Sequence, residues 1–154
     1  METHPRWDLQ PRTVGERRRQ KLEIRSQREE DRKKKMRVRM GFEQLEVWQR
    51  SSRLCTEIYK HFKNGKDFGF KDQITRSALS IPSNIAEGEE RFSAKDNILF
   101  LTYARGSSAE LRTQIYIGLD IDYIDKEKAL IWINETKEIS AMIVGLIKSK
   151  KSEL

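Results

Sequence analysis

From Glu43 onward the apolar residues recur at helical spacing. Leu45, Trp48, Cys55, Tyr59 and Phe62 share one face of a helix spanning roughly residues 43–62. Val47, Leu54 and Ile58 widen that face, as a helix inside a bundle requires. Asn64-Gly65 is a stop signal. Phe68 and Phe70, in the loop 66–70, are expected to fold back as an apolar plug. A second helix follows over about 71–87, with Ile74, Ala78, Ile81 and Ile85 as its stripe. Pro82 falls inside it and predicts a kink, and Gly88 is its expected terminator. The third and longest helix covers about 94–119. Ser93 is placed to cap it, with Asp96 three residues on. Leu101, Ala104, Ser108, Leu111, Ile115 and Gly118 alternate at spacings of 3 and 4, the seam pattern of packed helices. Ala104, Gly106, Ser107, Ser108 and Ala109 are small enough for a neighbouring helix to approach. The stretch from Asp120 to Asp125 reads as a turn. Asp125 caps a fourth helix over about 125–148, whose core is expected from Ile131, Trp132, Ile139, Met142, Ile143, Leu146 and Ile147. The pattern predicts an all-α fold: an antiparallel up-down-up-down four-helix bundle over residues 41–154.

Residues 1–40 follow no such pattern. Trp7, Leu9, Val14, Leu22, Ile24, Met36 and Val38 are scattered among charges. The tail reads either as a solvated, fraying helix or as disordered. Met36 and Met40 lie just before the first patterned segment, so a translation start at one of them is a second reading of the tail. The intact mass of the natively expressed protein decides it.

Composition refines this picture at three points. The net charge of +7 invites a nucleic-acid reading. Residues 1–40 hold 14 Lys+Arg against 7 Asp+Glu, however, whereas residues 41–154 hold 17 of each. The positive excess belongs to the tail. No apolar run reaches the ~18 residues of a membrane span, and no apolar core follows the basic residues of the N-terminus as in a secretory signal. Cys55 is the one cysteine, which excludes an internal disulfide and fits a reducing cytoplasm.

Catalytic chemistry finds little to work with. His4 lies in the tail. His61 ends the first helix, where an imidazole favours the helix dipole. Phosphate-loop, dinucleotide-binding, nucleophile-elbow and zinc-helix motifs are absent, as are the Glu-x-x-His pairs of a di-metal bundle. Cys55 sits on an apolar face, where cysteine behaves as a small core residue. No catalytic, metal or cofactor residue is expected. Two polar stripes flank the apolar faces: Arg76, Ser80, Asn84 and Glu87 on the second helix, and Tyr103, Ser107, Glu110 and Gln114 on the third. One reading is a hydrogen-bonded seam or subunit interface, with Arg76 paired to Glu87 or Glu110. The other is a ligand or RNA groove. Arg50, Arg53, Arg91, Lys95, Arg105 and Arg112 are candidate nucleic-acid contacts. They are interleaved with acids, so one subunit offers no continuous basic patch, although a symmetric ring would repeat any local one.

Four segments carry a resemblance. They are FEQLEVWQRS (Phe42 to Ser51), DQITRSA (Asp72 to Ala78), SALSIPSNIAEG (Ser77 to Gly88) and ARGSSAELRTQIYIG (Ala104 to Gly118). In this order and spacing the chain resembles the 23S rRNA intervening-sequence protein family over about residues 40–149. The turn LDIDYID resembles the family's connection between its third and fourth helices, with Asp125 where Ser is common. The resemblance implies a four-helix bundle assembling as a homopentameric ring, without catalytic residues. It also implies two kinds of role: association with rRNA or another nucleic acid, or service as a reverse-transcriptase accessory protein in a related branch. The family begins close to Phe42, so residues 1–40 depart from it.

The function expected is thus a non-enzymatic oligomeric binding module. A salt-dependent gel shift with structured rRNA tests nucleic-acid binding. The neutral charge of residues 41–154 favours the alternative, a protein-interacting scaffold, and the gene's neighbourhood discriminates the two.

Overall fold

The computed structural model describes residues 13–39, 41–152 and 154. His4, Trp7, Leu9 and Met40 lie outside the described residues, as do the side chains of Met36 and Val38. The chain divides between Met40 and Gly41 into two units. Among the described residues there are five α-helices and no strand. The count is one more than the four expected, because part of the tail is itself a long helix.

That helix, α1, spans Val14–Arg39. Thr13 and Glu16 start it with a reciprocal cap. The Thr13 N–H donates to Glu16 Oε2 at 2.8 Å, and the Glu16 N–H donates to Thr13 Oγ1 at 3.3 Å. Pairs one turn apart, such as Arg25–Glu29, line its surface. Its side chains are exposed from Val14 through Asp31.

The second unit opens with a 3₁₀ turn, Phe42–Gln44, rather than with the first turn of an α-helix. Leu45 is extended (φ −73°, ψ 121°) and α2 runs Glu46–His61. The break is stabilised by Gln49 Nε2, which donates to the Glu43 carbonyl at 2.8 Å, and by Phe42 set edge-on to Trp48. Next, α3 spans Phe68–Glu89, three residues earlier than the apolar stripe suggested. The cause is Asp67, whose Oδ1 accepts the Phe70 N–H at 2.9 Å. The loop aromatics therefore lie in a helical turn and diverge. Phe70 packs against the core, while Phe68 points outward, so only half of the expected plug exists. The helix runs through buried Pro82 and past Gly88. Then come α4, Ala94–Asp120, capped by Ser93, and α5, Lys126–Lys151, capped by Asp125.

In this unit α2 packs on α3 and α5, α3 on α4, and α4 on α5, whereas the backbones of α2 and α4 do not come close. Between them lie Ile58, Ile74, Ile81, Ile85, Leu101, Leu111, Ile115, Ile139 and Ile143, all fully buried. Each such side chain contributes about 1.5–3 kcal/mol relative to exposure. Of the expected core residues, Leu45, Trp48, Met142, Leu146 and Ile147 are only partly buried, and two are exposed. Tyr59 and Ile131 turn to solvent, 45% and 58% exposed, because the buried faces of α2 and α5 are centred on Ile58 and on Trp132–Ile133 instead. Gly118 allows the α4–α5 turn. Its carbonyl accepts the N–H groups of both Tyr123 and Ile124 (2.8 and 3.0 Å). Asp122 takes a positive φ of 59°, and Ile124 folds back over the glycine. Among the described residues no helix is long and apolar enough to cross a membrane.

Candidate functional site

Neighbouring serines on α4 organise the polar interior. Ser107 faces α3, where its hydroxyl donates to Ser80 Oγ at 2.9 Å. Ser80 Oγ also accepts from Asn84 Nδ2 at 2.9 Å, and Asn84 Nδ2 donates to the Ser80 carbonyl one turn back at 2.8 Å. Ser108 faces α5. It donates to the Thr136 carbonyl at 3.0 Å and accepts from Ser140 Oγ at 3.0 Å, while Thr136 Oγ1 returns to the Ile133 carbonyl. Ser108 and Thr136 are fully buried, so every one of these bonds replaces one to water.

The structure brings together Ser80, Asn84 and Ser107 from the two stripes, and leaves the others apart. Arg76 pairs with Asp72 on its own helix (3.4 Å), not with Glu87 or Glu110, and both partners are exposed. Glu87 is bonded to Arg91 instead. Glu110 accepts a 3.5 Å bond from Gln114, whose Oε1 is buried without a donor. Tyr103 stands half exposed beside Phe100. The long charged residues leave the seam because a helix turn of their own offers a nearer counter-charge. The second polar line, Ser108–Thr136–Ser140, had no signal beyond the doubled serine, since Ser108 also fits an apolar seam.

The candidate basic contacts divide as well. Arg50 is engaged: its Nε and Nη2 donate to Glu135 Oε1 and Oε2 at 2.7 and 2.6 Å, and Nη1 approaches Met142 Sδ at 3.7 Å. The bidentate bond holds the Glu135 carboxyl below the usual range and the guanidinium above its own. Arg91 lies over the Phe100 ring, 4.6 Å from its centre. Arg53, Lys95, Arg105 and Arg112 make no ion pair among the described residues. Arg53 is on α2 and the other three are on α4, helices whose backbones do not come close.

Two further clusters tie helix ends. Tyr123 O–H donates to Asp67 Oδ2 at 3.0 Å, and the Tyr123 carbonyl lies 2.9 Å from His61 Nε2. A carbonyl only accepts, so His61 Nε2 carries the proton. Nδ1 then accepts from Lys128 Nζ at 3.3 Å. His61 thus ties the end of α2 to the α4–α5 turn and to the start of α5. Elsewhere, Asn97 Nδ2 donates to Glu89 Oε1 at 3.1 Å and Lys150 bonds Glu89 Oε2, leaving Asn97 Oδ1 buried without a partner. Burial pushes the Cys55 thiol up, as for a core residue. Among the described residues no group of three or more His, Cys, Asp or Glu is placed to hold a metal ion.

Comparison with known proteins gives one family. The model for the 23S rRNA-intervening sequence protein matches residues 43–145. Among solved structures, a crystal structure from Bacteroides thetaiotaomicron, of a protein with unknown function from the S23 ribosomal protein family, is 29% identical. It superposes with a TM-score of 0.63, covering 66% of this chain and 98% of that one. No curated protein matches.

Proposed function

Because the chain belongs to the 23S rRNA-intervening sequence protein family, we propose that it is a non-enzymatic, oligomeric binding protein associating with RNA or a ribonucleoprotein in the cytoplasm. The observation that carries this reading is the outer face of α4. Leu99, Tyr103, Gly106, Ala109, Thr113 and Tyr116 recur along it and are all exposed. A Cβ built on Gly106 meets nothing within 4 Å. A mid-helix glycine costs about 1 kcal/mol relative to alanine, and among the described residues nothing uses the space it leaves. A second copy of the chain supplies the use: a close helix-to-helix contact, repeated around the five-fold ring implied by the family resemblance.

In this reading α2 to α5 alternate in direction as an antiparallel bundle. His61, at the end of α2, bonds Lys128 at the start of α5, and Glu89 and Lys150 join the ends of α3 and α5. The polar seams hold helices in register and perform no chemistry. Symmetry multiplies Arg53, Lys95, Arg105 and Arg112 into an RNA-facing rim. A second reading, a protein scaffold such as a reverse-transcriptase accessory protein, is favoured by the zero net charge of residues 41–154.

Light scattering on the full chain tests the assembly. A pentamer has a mass of about 91 kDa against 18.2 kDa for one chain. A concentration-independent monomer sinks the proposal. Electrophoretic shift with structured rRNA fragments separates the two partner classes, since scaffold-only function leaves RNA unshifted at every salt concentration.

A further inference from the structure

Seven cations of α1 share one face of the helix. Arg18, Lys21, Arg25, Arg28, Arg32, Lys35 and Arg39 follow one another at spacings of 3 and 4, and helix Val14–Arg39 contains them all. At 100° per residue these positions fall within about 100° of one another and extend over about 32 Å. No acidic residue occupies the series. Glu16, Glu23, Glu30 and Asp31 sit toward the opposite side, and the flanking Glu29 makes only an exposed pair with Arg25 at 3.4 Å, a contact that contributes little. In a coiled coil this heptad stripe would be apolar. Here it is cationic throughout, so the tail's excess charge is concentrated into a line.

We propose that α1 is an RNA-binding arm whose cationic stripe lies along the phosphate backbone of a structured RNA. Charge complementarity sets the class of partner: a linear polyanion neutralised by a linear array of cations, with release of counterions. An anionic membrane does not fit. Leu22 and Ile24 stand on different sides of the helix, so it has no apolar face to bury. RNA fits better than duplex DNA. Five of the seven cations are arginines, whose planar guanidinium groups bond phosphate in pairs and stack on unstacked bases. Bulged and looped RNA exposes such bases, whereas a regular duplex hides them. The polar side chains Gln20 and Gln27 lie on the other side of the helix, so the stripe reads backbone and shape rather than base edges.

The test uses the full chain and three quadruple variants. The first carries Arg18→Gln, Arg25→Gln, Arg28→Gln and Arg32→Gln. The second carries Arg19→Gln, Lys33→Gln, Lys34→Gln and Arg37→Gln, which removes the same charge away from the stripe. The third replaces the same four arginines as the first by lysine. Probes are a bulged-stem RNA, a DNA duplex of equal length, and polyglutamate as an acidic polypeptide. Fluorescence anisotropy is read over a salt series, with helix content checked by circular dichroism. The stripe variant is expected to lose at least ~30-fold in RNA affinity and to flatten the log K against log salt slope by about three. The off-stripe variant is expected to lose no more than ~3-fold, and the lysine variant to keep the slope. Equal losses in the first two variants overturn the proposal, as does a lost slope in the lysine variant. It is equally overturned by DNA or polyglutamate binding as tightly as the RNA, or by no RNA binding at all. The assembly mass reads the bundle's role separately, because none of these substitutions lies in residues 41–154.

Discussion

Arg50 and Glu135, 85 positions apart, meet through two parallel hydrogen bonds that tie α2 to α5. Both side chains are mostly covered, 23% and 27% exposed. A planar guanidinium fitted to a carboxylate in this way resists replacement by lysine, which offers a point charge in place of a fork.

Arg50→Met is therefore expected to destabilise the fold by about 1 kcal/mol at neutral pH. Arg50 lowers the carboxyl of Glu135 in the folded state. The stabilisation is fully present above the ordinary glutamate range and is lost as pH falls through the lowered folded value. Urea unfolding of wild type and variant checks this, with a difference at pH 7 that shrinks toward pH 2. A difference that persists in acid means the pair matters only as packing.

Asp67 follows the same sign. Its carboxylate is held low by the Phe70 N–H and then by the Tyr123 hydroxyl. Asp67→Ala is expected to lower the melting temperature at pH 7 and to lower it less at pH 2, where the wild-type carboxyl is protonated. Thermal scans by circular dichroism at the two pH values measure it.

The two α4 serines should differ in cost. Ser108→Ala leaves the hydroxyl of Ser140 and the carbonyl of Thr136 without their partner in a dry interior, a loss of about 1–3 kcal/mol. Ser107→Ala acts at a half-buried site that water reaches, and is expected to cost less than about 1 kcal/mol. Equilibrium denaturation of the two variants ranks them, and equal costs contradict the burial argument.

Two glycines of α4 should respond oppositely to alanine. At Gly118 a Cβ would meet Ile124 Cδ1 at 2.7 Å and Phe70 Cζ at 3.2 Å, so Gly118→Ala is expected to cost about 1–3 kcal/mol. At Gly106 the space is open, and Gly106→Ala should stabilise the single chain by about 0.5–1 kcal/mol. Denaturation at low protein concentration measures both. If the outer face of α4 is the assembly contact, the same Gly106→Ala change shifts the mass distribution toward smaller species.

Helix order and most of the core were legible because a 3- and 4-residue alternation is a strong signal over four or more turns. The errors have local causes. Leu45 is extended, so a single expected helix became a 3₁₀ turn and α2. Asp67 captured the Phe70 N–H and moved the start of α3 upstream. Tyr59 and Ile131 sit at the edges of wide apolar faces, where periodicity alone does not say which edge is covered. The seam was half readable. Short side chains on facing helices, Ser80 and Ser107, meet across the α3–α4 seam, and Asn84 bonds back to Ser80 on its own helix. Arg76 and Glu87 reach several partners, and each took one four residues away in sequence. Glu135 carried no mark in the sequence, since its role depends on which residue of α2 lies opposite.

Ser107 and Ser108 point about 100° apart because they are consecutive on a helix, and each is bonded to a different neighbour. The pair therefore fixes the rotation of α4 about its own axis, as two bearings fix a position. Inserting one residue between Ser93 and Ser107 would turn everything upstream out of phase with everything downstream. Adding seven, two full turns, would restore it. The face that α4 offers to the outside is thus set from the other side of the helix, by two hydroxyls turned toward its neighbours.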